Sequence, residues 1–436
     1  MTLLTVAVVA LAATAQTVRE DFKANIFLSA SNYVDYDRQF TDAPLTPAPA
    51  GYEPYYMSHY GRHGSRWLIA EDSYTGVVEP LRKAKADGKL TAKGEETLEK
   101  LEQFLPTTVK RLGDLTTVGE RQHHGIARRM VRNFPEIFCR PNVYIDARST
   151  VVVRCILSMT AECEELAAAN PTARFHNDVS KLFQTYLNSD REGIVKDLGR
   201  KGSQQLDAAK KQTDTSHLMQ LLFNDQQWVA ANLKAGDFMY RLFEVASNMQ
   251  SHDTDIDLYP LFTADEVYQQ WRMRNLRWYA DYGPSPLTGS LVPYVQHKLL
   301  RNIIETADTV SQTQATLRFG HEVVVMPLAA LLELGSCGVA ISDTSKVEDV
   351  WRNYRIFPMA SNIQLIFYRP IDGTKGDILV KAMLNEREVQ LPIATDRYPY
   401  YKWAELRQYY LDKLDRFDAL NRKHIEENNG NNESSL

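Results

Sequence analysis

Apolar runs of strand length alternate along the chain with segments of helical periodicity. Glu120 follows Thr117 by three positions, which forms a capping box, and Ile126, Met130 and Phe134 then recur at four-residue spacing. This pattern predicts a helix, and residues 401–425 predict a second, longer one. The predicted strands are residues 55–60, 143–145, 315–319, 363–368 and 378–383. Strands that alternate with helices predict an α/β fold, here a three-layer sandwich around a central, mainly parallel sheet.

The middle of the chain has a different character. Residues 170–283 are rich in Gln, Asn, Asp and Lys, show no repeat and have mostly helical patterning. We interpret them as an inserted helical domain, a lid or substrate domain, within an α/β core of residues 16–169 and 284–427. Residues 428–436 are polar and predict a disordered tail.

The first fifteen residues, MTLLTVAVVALAATA, are apolar, carry no charged side chain and end in Ala13-Thr14-Ala15. Such an ending after a short apolar stretch is typical of a secretory signal peptide. We predict that residues 1–15 are a signal peptide and that the protein is exported, to the periplasm or beyond; the alternative is a buried first strand or helix. No apolar run is long enough to span a bilayer, so we predict no membrane span.

Charge and cysteine content narrow the classes of function. The chain has 50 Lys and Arg against 55 Asp and Glu, a net charge of −5, whereas a general nucleic-acid binder needs a basic excess. The absence of a C-x-x-C pair argues against a structural zinc site. Cys155 and Cys163 would lie about 12 Å apart along a helix, too far to bridge. Free thiols and one disulfide that involves Cys139 or Cys337 both stay open.

The sharpest chemical feature is Arg62-His63-Gly64-Ser65-Arg66, directly after a predicted strand. Arginine presents a planar fork of donors that matches phosphate oxygens and keeps its charge. An imidazole between two arginines has a lowered pKa, because its protonated form is disfavoured by like charge. A neutral imidazole can attack phosphorus.

Two further segments end predicted strands and open helices. One is Arg148-Ser149-Thr150, with Arg154 on the helix that follows, and the other is His321-Glu322. Ligands bind at the carboxyl ends of strands in open α/β sheets, and a helix start favours an anion. The three segments together supply a nucleophile, cationic groups and one carboxylic acid, which is the inventory for phosphoryl transfer through a phosphohistidine.

These segments resemble the histidine acid phosphatase branch of the histidine phosphatase superfamily. Residues 56–66 resemble its Arg-His-Gly-x-Arg signature, residues 115–122 its Leu-Thr-x-x-Gly-x-x-Gln segment, and residues 148–158 its Arg-Ser-Thr…Arg…Ser segment. Residues 58–61 and 400–403 are most similar to bacterial relatives of multiple inositol-polyphosphate phosphatase. One departure is His321-Glu322, where acid phosphatases carry His-Asp and inositol-polyphosphate phosphatases carry His-Ala-Glu.

The resemblance implies a role for each candidate residue. His63 attacks phosphorus in line, and Glu322 protonates the departing alkoxide and then activates water, which requires a raised pKa. The groups implied to hold the phosphoryl oxygens are Arg62, Arg66, Arg148 and His321. No metal ion or cofactor is expected, since the arginines supply the charge. Candidate substrate contacts are His59 and a basic rim of Lys196, Arg200 and Lys201; the alternative for the rim is a solvated helix face.

We therefore predict an exported phosphomonoesterase that acts on inositol polyphosphates such as phytate. The first alternative is a broad acid phosphatase acting on sugar or nucleotide monoesters. A phosphoglycerate-mutase-like isomerase is disfavoured by the signal peptide and the insertion, and a non-catalytic phosphate binder would need neither His63 nor Glu322. The expected partner is a small phosphorylated molecule, and the oligomeric state stays open.

Overall fold

A computed structural model describes residues 17–40, 42–199, 201–208, 213–371 and 376–433. The predicted signal peptide and Arg200 lie outside these ranges. The strands are β1 (Tyr52–Arg62), β2 (Tyr144–Ser149), β3 (Arg174–Asp178), β4 (Thr313–Gly320), β5 (Asn362–Pro370), β6 (Leu379–Leu384), β7 (Arg387–Val389) and β8 (Tyr401–Lys402). The α-helices are α1 (Val18–Ala24), α2 (Tyr36–Gln39), α3 (Asp72–Ala86), α4 (Ala92–Phe104), α5 (Thr117–Asn133), α6 (Pro135–Phe138), α7 (Val153–Ala169), α8 (Gln184–Leu187), α9 (Gly193–Leu198), α10 (Lys201–Ala208), α11 (Ser216–Leu222), α12 (Gln226–Asn232), α13 (Ala235–Asn248), α14 (Ala264–Tyr282), α15 (His297–Thr309), α16 (Glu322–Leu331), α17 (Val347–Val350), α18 (Asn353–Ile356) and α19 (Trp403–Glu433).

The strands form one sheet in the order β3-β2-β4-β1-β5-β6-β7, with β8 also paired to β6. The half from β3 to β1 is parallel, and β5 to β8 extend it antiparallel. Arg62 at the end of β1 pairs with Gly320 at the end of β4, and Ser149 at the end of β2 pairs with Phe319. The carboxyl ends of β1, β2 and β4 therefore meet at one edge of the sheet. The predicted α/β fold is confirmed.

Helices cover both faces of the sheet because side chains alternate along each strand. Met57 of β1 packs with Ile126 of α5 and Met159 of α7 on one face. Tyr56 and Tyr60 pack with α15, α16 and α19 on the other. A third hydrophobic cluster unites α1, the 3₁₀ segment Ile26–Tyr33, α3, α4 and the helices α11 to α14.

Four features differ from those we predicted. Residues 174–178, placed in the insertion, form the edge strand β3, and α3 and α4, placed in the α/β core, share a cluster with α11 to α14. The last helix extends to Glu433, so most of the predicted disordered tail is helical. Helix α5 is capped by Thr116, whose Oγ1 accepts from Gly119 N–H at 3.1 Å, and not by Thr117. The hydrophobic pattern of a helix predicts which of its sides is buried, but it does not predict which part of the fold the helix packs against.

Candidate active site

The loop that carries His63 leaves β1 and is held from three sides. His63 N–H donates to the Gly320 carbonyl at 2.9 Å, which joins the ends of β1 and β4. Gly64 N–H donates to Ser158 Oγ of α7 at 3.1 Å. A Cβ placed on Gly64 would lie only 2.4 Å from the Gly119 carbonyl oxygen of α5. Only glycine fits at position 64, because the α5 backbone packs directly against the loop.

The first turn of α5 completes this support. Ser65 N–H donates to Gln122 Oε1 at 2.9 Å, and Gln122 Nε2 donates to Ser65 Oγ at 2.9 Å and to Asp35 Oδ1 at 2.6 Å. The Ser65 carbonyl accepts from both the N–H and the hydroxyl of Thr116. These contacts explain why residues 116–122 carry polar side chains. The side chains of Thr116 and Gln122 hold the loop of His63 in place, and none of these contacts involves His63 itself.

The tautomer of His63 follows from its contacts. Nδ1 lies 2.9 Å from the Gly64 carbonyl, which can only accept, so Nδ1 carries the proton and the lone pair lies on Nε2. Burial lowers the pKa of His63 well below its usual range, and the charges of Arg62 and Arg154 lower it further. His63 is therefore a buried, neutral imidazole whose nucleophilic nitrogen, Nε2, faces Glu322 Oε2 at 3.5 Å.

Three arginines whose charges act on His63 or Glu322 have unused donors. Arg62 is fully buried; its Nη1 donates to the carbonyls of Asn32 (2.6 Å) and Phe357 (3.0 Å), and burial lowers its pKa to about 10. Within the described residues, Arg62 Nη2, Arg66 Nε and Arg154 Nε are buried and have no hydrogen-bond partner. A buried unpaired donor is costly, so three such groups on cations beside one nucleophile fit a site built for an anion.

The His321-Glu322 segment faces these arginines from the start of α16. Glu322 Oε2 lies 3.2 Å from Arg62 Nε, and the two rings of His63 and His321 are 5.6 Å apart between centroids. Burial lowers the pKa of His321 to about 4. The pKa of Glu322 is held well below its usual range, since the raising effect of its burial is outweighed by the charges of Arg62 and Arg66. This is opposite to the raised pKa that the resemblance implied.

Arg148 is not brought to the site. It pairs with Asp146 at 2.9 Å, donates to Tyr186 Oη at 2.9 Å and stacks on the Phe183 ring. Asp146 precedes it by two residues on the same strand face, so the opposite charges meet there. Arg154, in the first turn of α7, lies among the catalytic candidates instead, with its Nη1 donating to Gly113 O at 3.3 Å.

The other sequence candidates also lie elsewhere. His59 is 1% exposed and packs on the Phe319 ring on the α5–α7 side of the sheet, beneath the site. Lys196 lies on α9, which packs against α19, and Lys201 begins α10, which packs against α14 at Ala280. Neither lysine contacts His63 within the described ranges. His123 is buried, and its Nδ1 lies 2.7 Å from Glu162 Oε1. The four cysteines are free thiols.

Single substitutions of Arg154 and Arg148 test which of the two arginines contributes to turnover. Arg154→Ala should lower kcat/KM for a phosphomonoester by about 10²–10³-fold, because it removes a half-buried cation whose charge acts on His63. Arg148→Ala should cost less than about fivefold, because its pair with Asp146 is partly exposed. Steady-state kinetics and inhibition by inorganic phosphate test whether Arg154→Ala has the larger effect. A larger effect of Arg148→Ala would contradict the placement of Arg154, and not Arg148, at the site.

Buried His59 should make stability depend on pH. Burial lowers its pKa from 6.5 to about 4, so between these pH values the unfolded chain binds a proton that the folded protein does not. The free energy of unfolding should therefore fall as pH drops from 6.5 towards 4, by about 3 kcal/mol from this group at pH 4. Urea denaturation at pH 7 and pH 4 measures the fall. The fall in the free energy of unfolding between pH 7 and pH 4 should be about 3 kcal/mol smaller in His59→Gln than in the wild type. An equal fall in both proteins would contradict the prediction.

Comparisons with known proteins identify the family of the chain and proteins of similar fold. The model of the histidine phosphatase superfamily (branch 2) matches residues 61–385. The fold is similar to a multiple inositol polyphosphate phosphatase from Bifidobacterium longum in complex with inositol hexasulfate, at 19% identity and TM-score 0.66, over 88% of this chain and 97% of that chain. It is also similar to the phytase from D. castellii (14%, TM-score 0.69, 89% and 85%) and to a phytase from Klebsiella sp. ASR1 (13%, 0.51, 84% and 97%).

No curated protein sequence matches the chain. None of the helices in the described ranges is long and apolar enough to cross a membrane. The family match covers most of the chain and includes the loop of His63, the helices α5 and α7 that hold it, and the His321-Glu322 segment. The chain belongs to branch 2 of the histidine phosphatase superfamily, and it is a phosphatase.

Proposed function

We propose that the protein hydrolyses phosphomonoesters through a phosphohistidine at His63 Nε2. The observation that carries the proposal is the buried Nε2 lone pair beside unpaired guanidinium donors of Arg62, Arg66 and Arg154. Nε2 attacks phosphorus as the bond to the ester oxygen breaks, and the leaving oxygen takes a proton from Glu322. Water then attacks phosphorus, gives its proton to Glu322, and releases phosphate and the Nε2 lone pair.

The low pKa of Glu322 is compatible with an acid role once substrate is bound. The arginines that lower its pKa are the same ones that would hold the phosphoryl oxygens. A phosphoryl group placed against them offsets their charge, and burial then raises the pKa of the carboxyl. Glu322 therefore gains its proton as substrate binds. His321, neutral because of its burial, would donate a hydrogen bond to a phosphoryl oxygen.

The substrate class we propose is inositol polyphosphates such as phytate, and the broad acid phosphatase stays as the alternative. Support comes from the likeness to an inositol polyphosphate phosphatase bound to inositol hexasulfate and to two phytases, together with the context of residues 58–61. Other residues of the insertion would then hold the other phosphates. Export rests on the composition of residues 1–15.

Phosphate release from phytate, an aryl phosphate and a sugar phosphate tests the proposal, with His63→Ala as the control. A preference for phytate that disappears in the variant supports the inositol-polyphosphate assignment. Turnover of the aryl phosphate alone would support the proposed phosphomonoesterase activity but contradict inositol polyphosphates as the substrate class. No release from any of the three would reject the hydrolase and favour a mutase or a binder, neither of which liberates phosphate.

A further inference from the structure

The two oxygens of the Glu322 carboxyl lie in different surroundings. Oε2 faces the reacting groups, at 3.2 Å from Arg62 Nε and 3.5 Å from His63 Nε2. Oε1 faces the side chain of Asn32, whose Nδ2 donates to it at 3.5 Å. In the described part of the chain, no other group donates a hydrogen bond to Oε1. Hydrogen bonds of catalytic groups are often this long before substrate binds, and they shorten in the complex.

Asn32 also contacts Arg62, through its backbone. Its carbonyl accepts from Arg62 Nη1 at 2.6 Å, and the residue is buried. It lies 290 residues from Glu322 in the chain, on the 3₁₀ segment Ile26–Tyr33. One distant residue therefore touches both the arginine and the carboxylic acid that lie beside His63.

The backbone just before Asn32 is strained. Ser31 has φ 64° and ψ −120°, a left-handed conformation that residues with a side chain rarely adopt. Buried hydrogen bonds hold it there: Asn353 Nδ2 donates to Ser31 Oγ at 2.6 Å, and Trp271 Nε1 donates to Asn353 Oδ1 at 2.9 Å. Backbone strain persists only where the surrounding structure enforces it, and it is concentrated at active sites. The strain at Ser31 indicates that the placement of Asn32 serves the site.

A neutral amide suits a carboxyl that must gain and lose a proton. The titratable groups that act on Glu322 are three arginines, two histidines, a hydroxyl and a thiol: Arg62, Arg66, Arg154, His63, His321, Tyr60 and Cys155. Only the arginines are charged, because burial lowers the pKa of both histidines and raises the pKa of the tyrosine and of the cysteine. A further cation would hold Glu322 as a carboxylate. The amide of Asn32 can donate to Oε1 whether Glu322 is ionised or protonated.

The amide also determines which oxygen carries the proton. An amide N–H can only donate, so the proton of the acid cannot lie on the oxygen that faces it. We propose that Asn32 is a positioning residue that holds Oε1 and thereby places the proton of Glu322 on Oε2, the oxygen beside Arg62 and His63. The leaving oxygen takes this proton from Oε2, and the water of the second step returns a proton to the same oxygen. The inference rests on the proposed phosphomonoesterase activity and deepens it at the same site.

The first test is Asn32→Leu, which removes the amide and keeps the backbone carbonyl that binds Arg62. It compares kcat/KM for glycerol phosphate, an alkyl ester, with kcat/KM for para-nitrophenyl phosphate, whose leaving group needs no proton. The alkyl-to-aryl ratio should fall about tenfold, the effect of losing one hydrogen bond to a charged group. Asn428→Leu is the matched control, because Asn428 Nδ2 donates to a carboxylate oxygen of Asp197 on the exposed part of α19. It should leave the ratio unchanged.

The second test is Asn32→Asp, which keeps the shape of the side chain and adds a negative charge beside Oε1. A neighbouring carboxylate disfavours the ionised form of Glu322 and therefore raises its pKa. The alkaline limb of kcat for glycerol phosphate reports the acid in the enzyme–substrate complex. This limb should move to higher pH by about one unit. A residue that only supports the fold would leave the limb where it is in the wild type.

The outcomes separate this inference from the proposed function. Equal slowing of both esters by Asn32→Leu, or slowing of neither, would overturn the positioning role and leave the phosphomonoesterase activity in place. An unmoved alkaline limb in Asn32→Asp would do the same, and this measurement decides alone if Asn32→Leu does not fold. Release of phosphate from neither ester by the wild type would overturn both the inference and the proposed function.

Discussion

His63→Ala should reduce kcat for every phosphomonoester by about 10⁴-fold or more, because it removes the atom that forms the covalent intermediate. The arginines remain in the variant, so phosphate and substrate should still bind. The measurement is phosphate release at saturating substrate, together with denaturation in alkali, which preserves the phosphorus–nitrogen bond of phosphohistidine, and detection of the phosphorylated protein during turnover. His63→Ala should give no phosphoprotein.

The matched control is His424→Ala, a histidine on α19 whose ring bonds to Asp197. It should keep wild-type turnover and phosphoprotein levels. Residual activity of His63→Ala within tenfold of wild type would mean that water attacks the substrate directly and that His63 only binds. Equal loss in both variants would point to misfolding, which circular dichroism and thermal unfolding would detect.

Glu322→Gln should slow the enzyme by about 10²–10⁴-fold with an alkyl phosphate. The amide occupies the same space beside Arg62 and His63 but has no proton to give to the leaving oxygen. An aryl phosphate whose leaving group needs no proton should be slowed much less in the first step. Its hydrolysis should then show a burst, because water attack on the phosphohistidine also loses its base.

Rapid-quench kinetics with the two substrates measure this difference. Glu333→Gln, just beyond the other end of α16 and bonded to Tyr409, is the control and should behave as wild type. Equal slowing of alkyl and aryl phosphates, with no burst, would contradict the acid role and leave Glu322 as a group that only positions Arg62.

Much of the site could be read from the order of residues. The Arg62–Arg66 loop and the His321-Glu322 segment each follow a run of strand length, and parallel strands place their carboxyl ends at one edge. That reasoning brought His63, Arg62, Arg66, His321 and Glu322 together correctly. The assignment failed for Arg148, because strand alternation turns its side chain towards Asp146, whereas Arg154 reaches the site from a helical turn.

What the sequence by itself determined is therefore the α/β alternation, the family and the chemistry available at the strand ends, because these depend on short-range patterns. Only the tertiary structure decided that Asn32 meets Arg62 from a distant part of the chain, that His59 faces away from the substrate, and that Glu322 is held as a carboxylate. These three features depend on burial and on charged groups that packing brings within a few ångströms of one another. The electrostatic effect of one charged group on another is set by their distance in space and not by their separation along the chain.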